Sequence, residues 1–266
     1  MSNNTDSWTS GDFYDSFMGR WSKLIGINFL EWLAVPPSAY WLDVGCGTGA
    51  LTQEILHSCQ PQLVTGIDLS EEFVAYAKNL NSDPRAEFSV GSAEEIDLES
   101  NSIDAVVSGL VLNFVPQPAI VIAEMLRVTK PGGMIGIFLW DYAEGMEMLR
   151  YFWDAAVALD AGAKELDEGI RFPLCREGAL ETLVRSFRVG QVEAAPIEAV
   201  TVFKDFDDYW MPFLQPVGPA PGYLASRTPE DRKKLEDFLW QTLPISKNGS
   251  ISLNARAWAV KIVKPS

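Results

Sequence analysis

The stretch Leu42-Asp43-Val44-Gly45-Cys46-Gly47-Thr48-Gly49-Ala50-Leu51-Thr52 decides the fold. A short apolar run, Tyr40–Val44, leads into glycines at 45, 47 and 49, and a helical pattern near 50–59 follows. Glycine lets the backbone turn sharply and lets a ligand approach without meeting Cβ atoms. A strand that becomes a helix through such a loop puts the loop at the carboxyl end of a parallel sheet, where open α/β folds bind ligands. Outward from here the rhythm repeats. Apolar runs at Leu63–Ile67, Phe88–Val90, Ile103–Val107 and Met134–Leu139 alternate with helical stretches near 70–80, 93–97 and 118–129. This alternation predicts βαβ units and a mostly parallel sheet with helices on both faces. Lys130-Pro131-Gly132-Gly133 reads as a helix stop and turn before the fifth strand.

Towards the ends the pattern changes. Residues 12–34 place Phe13, Phe17, Trp21, Leu24, Ile25, Phe29, Trp32 and Leu33 three and four apart, which predicts one or two amphipathic N-terminal helices. Beyond Trp140, residues 144–160 read as an aromatic-rich helix, 177–187 and 229–243 as further helices, and Gln191–Phe203 and Ile251–Val263 as two last strands. Residues 205–228 are proline-rich and without a clear period, so they read as an irregular, lid-like insertion. No loose linker interrupts the chain. Residues 1–266 are therefore expected to form one α/β domain: cover helices at 12–34, a ligand-binding half at 40–140, insertions at 141–172 and 204–245, and final strands at 188–203 and 250–263, giving seven strands in all.

Composition removes several classes of function. Lys and Arg number 21 against 36 Asp and Glu, a formal net charge of −15. A net anion is repelled by phosphate-rich partners, so nucleic acid and anionic membranes are disfavoured. Three cysteines (Cys46, Cys59, Cys175) form no C-x-x-C, and with a single histidine, His57, no zinc or iron–sulfur site is expected. The chain is long enough to bury a core without disulfides. Its polar start and free thiols fit a reducing cytoplasm, and no apolar run approaches the ~18 residues of a membrane span.

Two further signals accompany the glycine loop. Asp68, in Gly66-Ile67-Asp68-Leu69-Ser70, stands at the end of the second strand, where an acid can accept both hydroxyls of a ribose. Val90-Gly91-Ser92-Ala93-Glu94-Glu95-Ile96 follows the third strand, and Ser92 with Glu95 fits a capping box. The loop also satisfies G-x-G-x-x-A, so a dinucleotide is an alternative. Asp43 argues against it, because a carboxylate beside the loop suits an amine and a sulfonium better than a pyrophosphate.

Together these motifs, with Ile103–Leu110 and Lys130–Gly133, resemble the class I S-adenosylmethionine-dependent methyltransferases, most closely the small-molecule branch containing ubiquinone and menaquinone methyltransferase-like proteins. The resemblance covers residues ~40–140 and implies a Rossmann-like sheet. It implies that Gly45, Cys46, Gly47 and Gly49 line the methionine part of S-adenosylmethionine, with Asp43 near its ammonium. Asp68 takes the ribose hydroxyls, with Leu69 against the adenine. Ser92, Ala93 and Glu94 meet the adenine edge, though the family often has Asp where Ser92 stands. Ser108 and Gly109 lie by the methionyl group, and Arg20, in the cover helices, pairs with the methionine carboxylate.

Methyl transfer is an in-line displacement in which alignment supplies much of the acceleration, so no dedicated base is obligatory. Asp141 and Tyr142, just after the fifth strand, are the base candidates. The region after the fourth strand reads Leu112-Asn113-Phe114-Val115-Pro116 rather than the Asn-Pro-Pro-Tyr type of amine and base methylases, which favours a small, partly apolar acceptor. Two alternatives stand beside this reading. An NAD(P)-dependent oxidoreductase would need a Tyr-x-x-x-Lys or a relay histidine, and neither occurs near the loop. A non-catalytic S-adenosylmethionine-binding partner protein would announce itself by a tight heteromeric complex.

Overall fold

A computed structural model describes residues 18–215 and 218–265; positions 12–17 of the expected cover, Phe13 and Phe17 among them, lie outside the described residues. The chain divides into two compact units, each assembled from three separated segments. One, the sheet unit, comprises Ser22–Leu139, Glu177–Ile197 and Ala257–Ser266; the other, the aromatic unit, comprises Met1–Trp21, Trp140–Arg176 and Glu198–Arg256. Chain that shuttles between two cores needs no linker, which is why composition marks no boundary.

The seven strands are β1 (Tyr40–Val44), β2 (Leu63–Asp68), β3 (Ala86–Val90), β4 (Ile103–Gly109), β5 (Thr129–Trp140), β6 (Gln191–Phe203) and β7 (Ile251–Val263), in the order β3-β2-β1-β4-β5-β7-β6. The first five are parallel, with Asp43 of β1 level with Gly66 on one side and Val107 on the other. β7 runs antiparallel to β5, since Gly132 bonds Lys264 while Asp141 bonds Arg256. The order turns back at β1, with β2 on one side and β4 on the other. Such a reversal opens a crevice between the loops that leave the two strands.

Apolar side chains of the inner strands form the core of this unit, among them Trp41, Leu42, Val106, Val107, Ile135 and Ile137, all buried. Helix α1 (Arg20–Leu33) lays Ile25, Phe29 and Leu33 on it, and the Phe29 and Phe138 rings meet at 4.6 Å. Gly136 makes that approach possible, because a Cβ there would lie 2.6 Å from the Phe29 ring. Helices α2 (Ala50–Ser58), α3 (Glu71–Leu80) and α4 (Pro118–Val128) follow β1, β2 and β4. Ser70 caps α3 by accepting from the Phe73 amide, and Glu71 and Glu72 sit at its positive end.

Two local expectations differ. The helix expected at 93–97 is a turn, because the Ser92 hydroxyl accepts from the Glu94 amide two residues on and so competes with helical bonding. β5 starts at Thr129 rather than Met134: Lys130–Gly133 joins the strand, with Gly132 at φ +76° and an irregular register opposite Ile103 and Ala105.

In the aromatic unit α5 (Glu147–Leu159) and α6 (Glu168–Arg171) come first, α7 (Ala179–Arg185) returns to the sheet unit, and α8 (Phe206–Trp210), α9 (Pro219–Ala225) and α10 (Pro229–Thr242) follow. The stretch expected to be an irregular lid therefore holds two short helices and a 3-10 turn. Their aromatic residues are core. Tyr209 and Phe213 are buried with rings 5.3 Å apart, Phe213 stacks on Phe152 at 4.6 Å, and the Tyr209 hydroxyl donates to the Met148 carbonyl at 2.9 Å. This core also contains carboxylates. Asp167 receives both terminal nitrogens of Arg150 at 3.0 and 2.5 Å, while Glu168 accepts from the Trp153 indole and is raised to about 7 by its burial.

Candidate active site

The glycine loop lies at the reversal point, and backbone bonds fix its shape. The amides of Gly45 and Cys46 both donate to the Ile67 carbonyl, at 2.8 and 2.9 Å. Gly45 has φ +74° and packs so closely on the loop after β4 that a Cβ would fall 2.6 Å from Val111. Gly47 also has positive φ, +52°, but a Cβ there would meet nothing within 4 Å. The first glycine serves packing; the second faces open space where a ligand can approach the backbone.

Asp68 is held by the same loop. The Gly47 amide donates to one of its carboxylate oxygens and the Ser70 amide to the other, each at 2.9 Å. A carboxylate oxygen has capacity for more than one donor, so the group is oriented while still able to take a vicinal diol. Asp43 is buried, with one oxygen accepting from the Thr52 hydroxyl at 2.7 Å. Burial pushes its pKa up to about 7, against the opposing bond from Thr52 and with help from the charge on Asp68. A buried acid that is costly to ionise alone is suited to a cationic group. Cys46 is buried too, and burial followed by the charges of Asp43 and Asp68 drives its thiol far up, so it packs and does not act as a nucleophile.

Around these, Leu69 is 76% exposed, an apolar platform directly after Asp68. Ala93 and Glu94 lie in the turn after β3, and Glu94 Oε1 is buried without a partner among the described residues. Ser108 is fully buried and donates to the Val44 carbonyl at 2.9 Å, so its hydroxyl joins β4 to β1. Gly109 gives way to Phe138, which a Cβ would meet at 2.6 Å. The loop segments 44–52, 66–70, 90–95 and 108–114 contain neither Lys nor Arg. That donor set fits an adenosine carrying a cationic amino acid. A pyrophosphate would find no side-chain cation among these residues.

The remaining candidates are in the aromatic unit. Arg20 bonds the Asp208 carboxylate at 3.1 and 3.2 Å, with its guanidinium 4.2 Å from the Trp21 ring and 4.8 Å from that of Phe203. Its carboxylate partner here is thus the protein's own. Asp141 is buried, bonded to Arg256 at 2.6 Å and to the Glu144 amide at 3.1 Å, which makes it a clamp for the strand end rather than a free base. Tyr142 is buried with its ring 5.8 Å from Phe172. His57 is exposed in the last turn of α2, at the end remote from the glycine loop.

Reading from sequence missed Thr52, Val111 and Asn113. Thr52 follows the loop by one helical turn and could have been found as the nearest donor to Asp43. Asn113 could have been noticed as the one polar residue in Leu110–Val115.

Residues 42–137 match a family model described as a methyltransferase domain. The chain is 31% identical over 189 residues to 2-methyl-6-phytyl-1,4-hydroquinone methyltransferase from Synechocystis sp., a match covering 69% of this chain and 57% of that protein. It is 40% identical over 96 residues to demethylmenaquinone methyltransferase from Staphylococcus aureus, covering 35% and 40% respectively. The chain thus spans less than two thirds of the length of the curated relatives it matches. Among solved structures it is similar to phosphoethanolamine N-methyltransferase 2 from Haemonchus contortus, with a TM-score of 0.60 over 96% of this chain and 57% of that one at 18% identity. That likeness concerns the fold alone.

Proposed function

We propose, for a chain that belongs to the class I S-adenosylmethionine-dependent methyltransferases, that its activity is methyl transfer from S-adenosylmethionine to a small, partly apolar acceptor. The observation that carries this reading is the cation-free crevice where Asp68, clamped by the Gly47 and Ser70 amides, stands beside the buried acid Asp43. When bound, the cofactor supplies an electrophilic methyl group on a sulfonium.

Every other contribution comes from the chain. Asp68 takes the ribose hydroxyls. Leu69 and the Ser92–Glu94 turn receive the adenine, and Glu94 Oε1 offers an acceptor that the protein leaves unused. Asp43 balances the ammonium, and the open backbone at Gly47 admits the methionine part. Holding these parts fixes the line along which the methyl group leaves, and alignment of this kind is worth up to ~7–11 kcal/mol of barrier. With Asp141 bound to Arg256, no free base is assigned. A ring bearing hydroxyls is the acceptor class we favour, on the strength of the names of the quinol and quinone methyltransferases this chain is similar to.

Calorimetric titration with S-adenosylmethionine, S-adenosylhomocysteine and NAD tests the cofactor, and transfer of labelled methyl to a panel of hydroquinones tests the acceptor. Micromolar binding of the first two ligands only, with label appearing in a hydroquinone, is expected. Tighter binding of NAD would overturn the reading.

No described helix is long and apolar enough to cross a membrane. A hydroquinone with a long apolar tail would have to reach the crevice without a membrane span among those residues to carry the enzyme to it.

A further inference from the structure

The loop after β4 carries a polar group that nothing so far uses. Leu110 leaves the strand at φ +63°, a conformation that side chains rarely adopt, and its amide still bonds the Phe138 carbonyl at 2.8 Å. Val111 then packs on Gly45, Leu112 turns into the core, and the Phe114 amide closes a turn onto the Val111 carbonyl at 2.9 Å. Asn113 sits inside that turn. Its Nδ2 is buried and has no hydrogen-bond partner. The neighbours in sequence are apolar, and Phe114 is 41% exposed.

A buried amide donor without an acceptor costs stability in the ligand-free chain, and groups of this kind call for an explanation. Strand order supplies one. The loops after β1 and β4 flank the sheet's reversal point, and the Val111–Gly45 contact joins them directly. Asn113 is two residues from that contact, on the loop facing the cofactor's methionine end under the function proposed above. A donor placed there, among apolar side chains, is matched by an acceptor molecule that is mostly apolar and carries an oxygen near the carbon or oxygen to be methylated.

We infer that Asn113 is an acceptor-binding residue, whose side-chain amide turns towards the crevice and donates a hydrogen bond to a ring oxygen of a hydroquinone-type acceptor. The inference rests on the methyltransferase reading and adds the group that selects an oxygenated ring. A polar residue kept for binding at the expense of stability has a signature that a structural asparagine lacks. Replacing it by an apolar residue of similar size removes the unpaired donor, so the ligand-free protein gains stability as it loses function.

The test uses the full chain, the variants Asn113→Leu and Asn113→Ala, and 2-methyl-1,4-hydroquinone with labelled S-adenosylmethionine as the probe pair. Expected are S-adenosylhomocysteine affinities within about threefold of wild type, an Asn113→Leu melting temperature raised by about 2 °C, and kcat/KM for the hydroquinone reduced about thirtyfold in both variants, mostly through KM. A lowered melting temperature for Asn113→Leu makes the residue structural and overturns the inference. So does a tenfold loss of S-adenosylhomocysteine affinity, which would assign the amide to the cofactor. If wild type methylates the hydroquinone and the variants do so equally well, the inference falls while the methyltransferase reading stands. If wild type binds S-adenosylhomocysteine but transfers no methyl to any hydroquinone, the hydroquinone part of the function falls, and this assignment with it.

Discussion

Cofactor affinity should depend on pH through one buried carboxyl, Asp43. Burial sets its pKa near 7 in the ligand-free chain, so in mildly acidic solution it carries a proton. A ligand that brings an ammonium beside it favours the carboxylate, and binding below that pH must expel the proton. Each pH unit below about 7 then costs about 1.4 kcal/mol, or tenfold in Kd. At about pH 5 S-adenosylhomocysteine should bind roughly a hundredfold more weakly than at about pH 8, above which the curve is flat. Titration calorimetry in buffers of different ionisation enthalpy would also count the proton released. In Asp43→Asn the dependence should vanish, with affinity held at the weak end. 5′-Methylthioadenosine, which lacks the amino-acid part, should bind the wild type without a slope. A wild-type affinity constant within threefold across this range, or a slope that survives in Asp43→Asn, would refute the argument. The ligand-free protein has its own pH signature. The folded pKa lies above the model value of 3.8, so the stability Asp43 contributes is present at low pH and lost as pH rises from about 4 through about 7. Glu168, also raised to about 7, acts in the same direction and window, so Asp43→Asn should remove only part of the effect on thermal melting.

The two open-loop glycines should separate folding from binding: Gly45→Ala meets Val111 at 2.6 Å and should lower the melting temperature markedly, whereas Gly47→Ala meets nothing, costs about 1 kcal/mol of backbone strain, and should mainly weaken S-adenosylhomocysteine binding. Asp68→Ala removes the acceptor for the ribose and frees two loop amides; calorimetry should show a loss of about 2–4 kcal/mol of cofactor affinity with the circular dichroism spectrum retained, and a loss under tenfold would reduce Asp68 to a loop clamp. Tyr209→Ala empties the middle of the aromatic core and should destabilise by about 3–5 kcal/mol in chemical denaturation. A change under about 1 kcal/mol there would show that the segment is a dispensable lid after all.

The sheet unit was readable because its information is local. Glycines at 45, 47 and 49 and the acid at 68 sit at strand ends where backbone geometry dictates residue type, and five apolar runs separated by helical periods leave little choice of topology. The aromatic unit was harder. Helices as short as Phe206–Trp210 and Pro219–Ala225 are too brief to display a 3.6-residue period, and proline at their first turns looks like a loop signal although it also starts helices. At Ser92 the capping-box pattern was real but the hydroxyl went to Glu94 rather than three residues on. Asp141 looked like a base because sequence shows a carboxylate after β5 and not the Arg256 that crosses from β7 to neutralise it. Long-range partners of that kind have no local trace.

The position of β7 between β5 and β6 has a consequence for biosynthesis. The last strand to leave the ribosome is an interior one. Until Val263 has been added, β5 presents a free edge and β6, translated some fifty residues earlier, has no neighbour to join. The right-hand part of the sheet must therefore assemble after nearly the whole chain is available, and a nascent chain halted before Ile251 would expose an unpaired strand to its neighbours on the polysome.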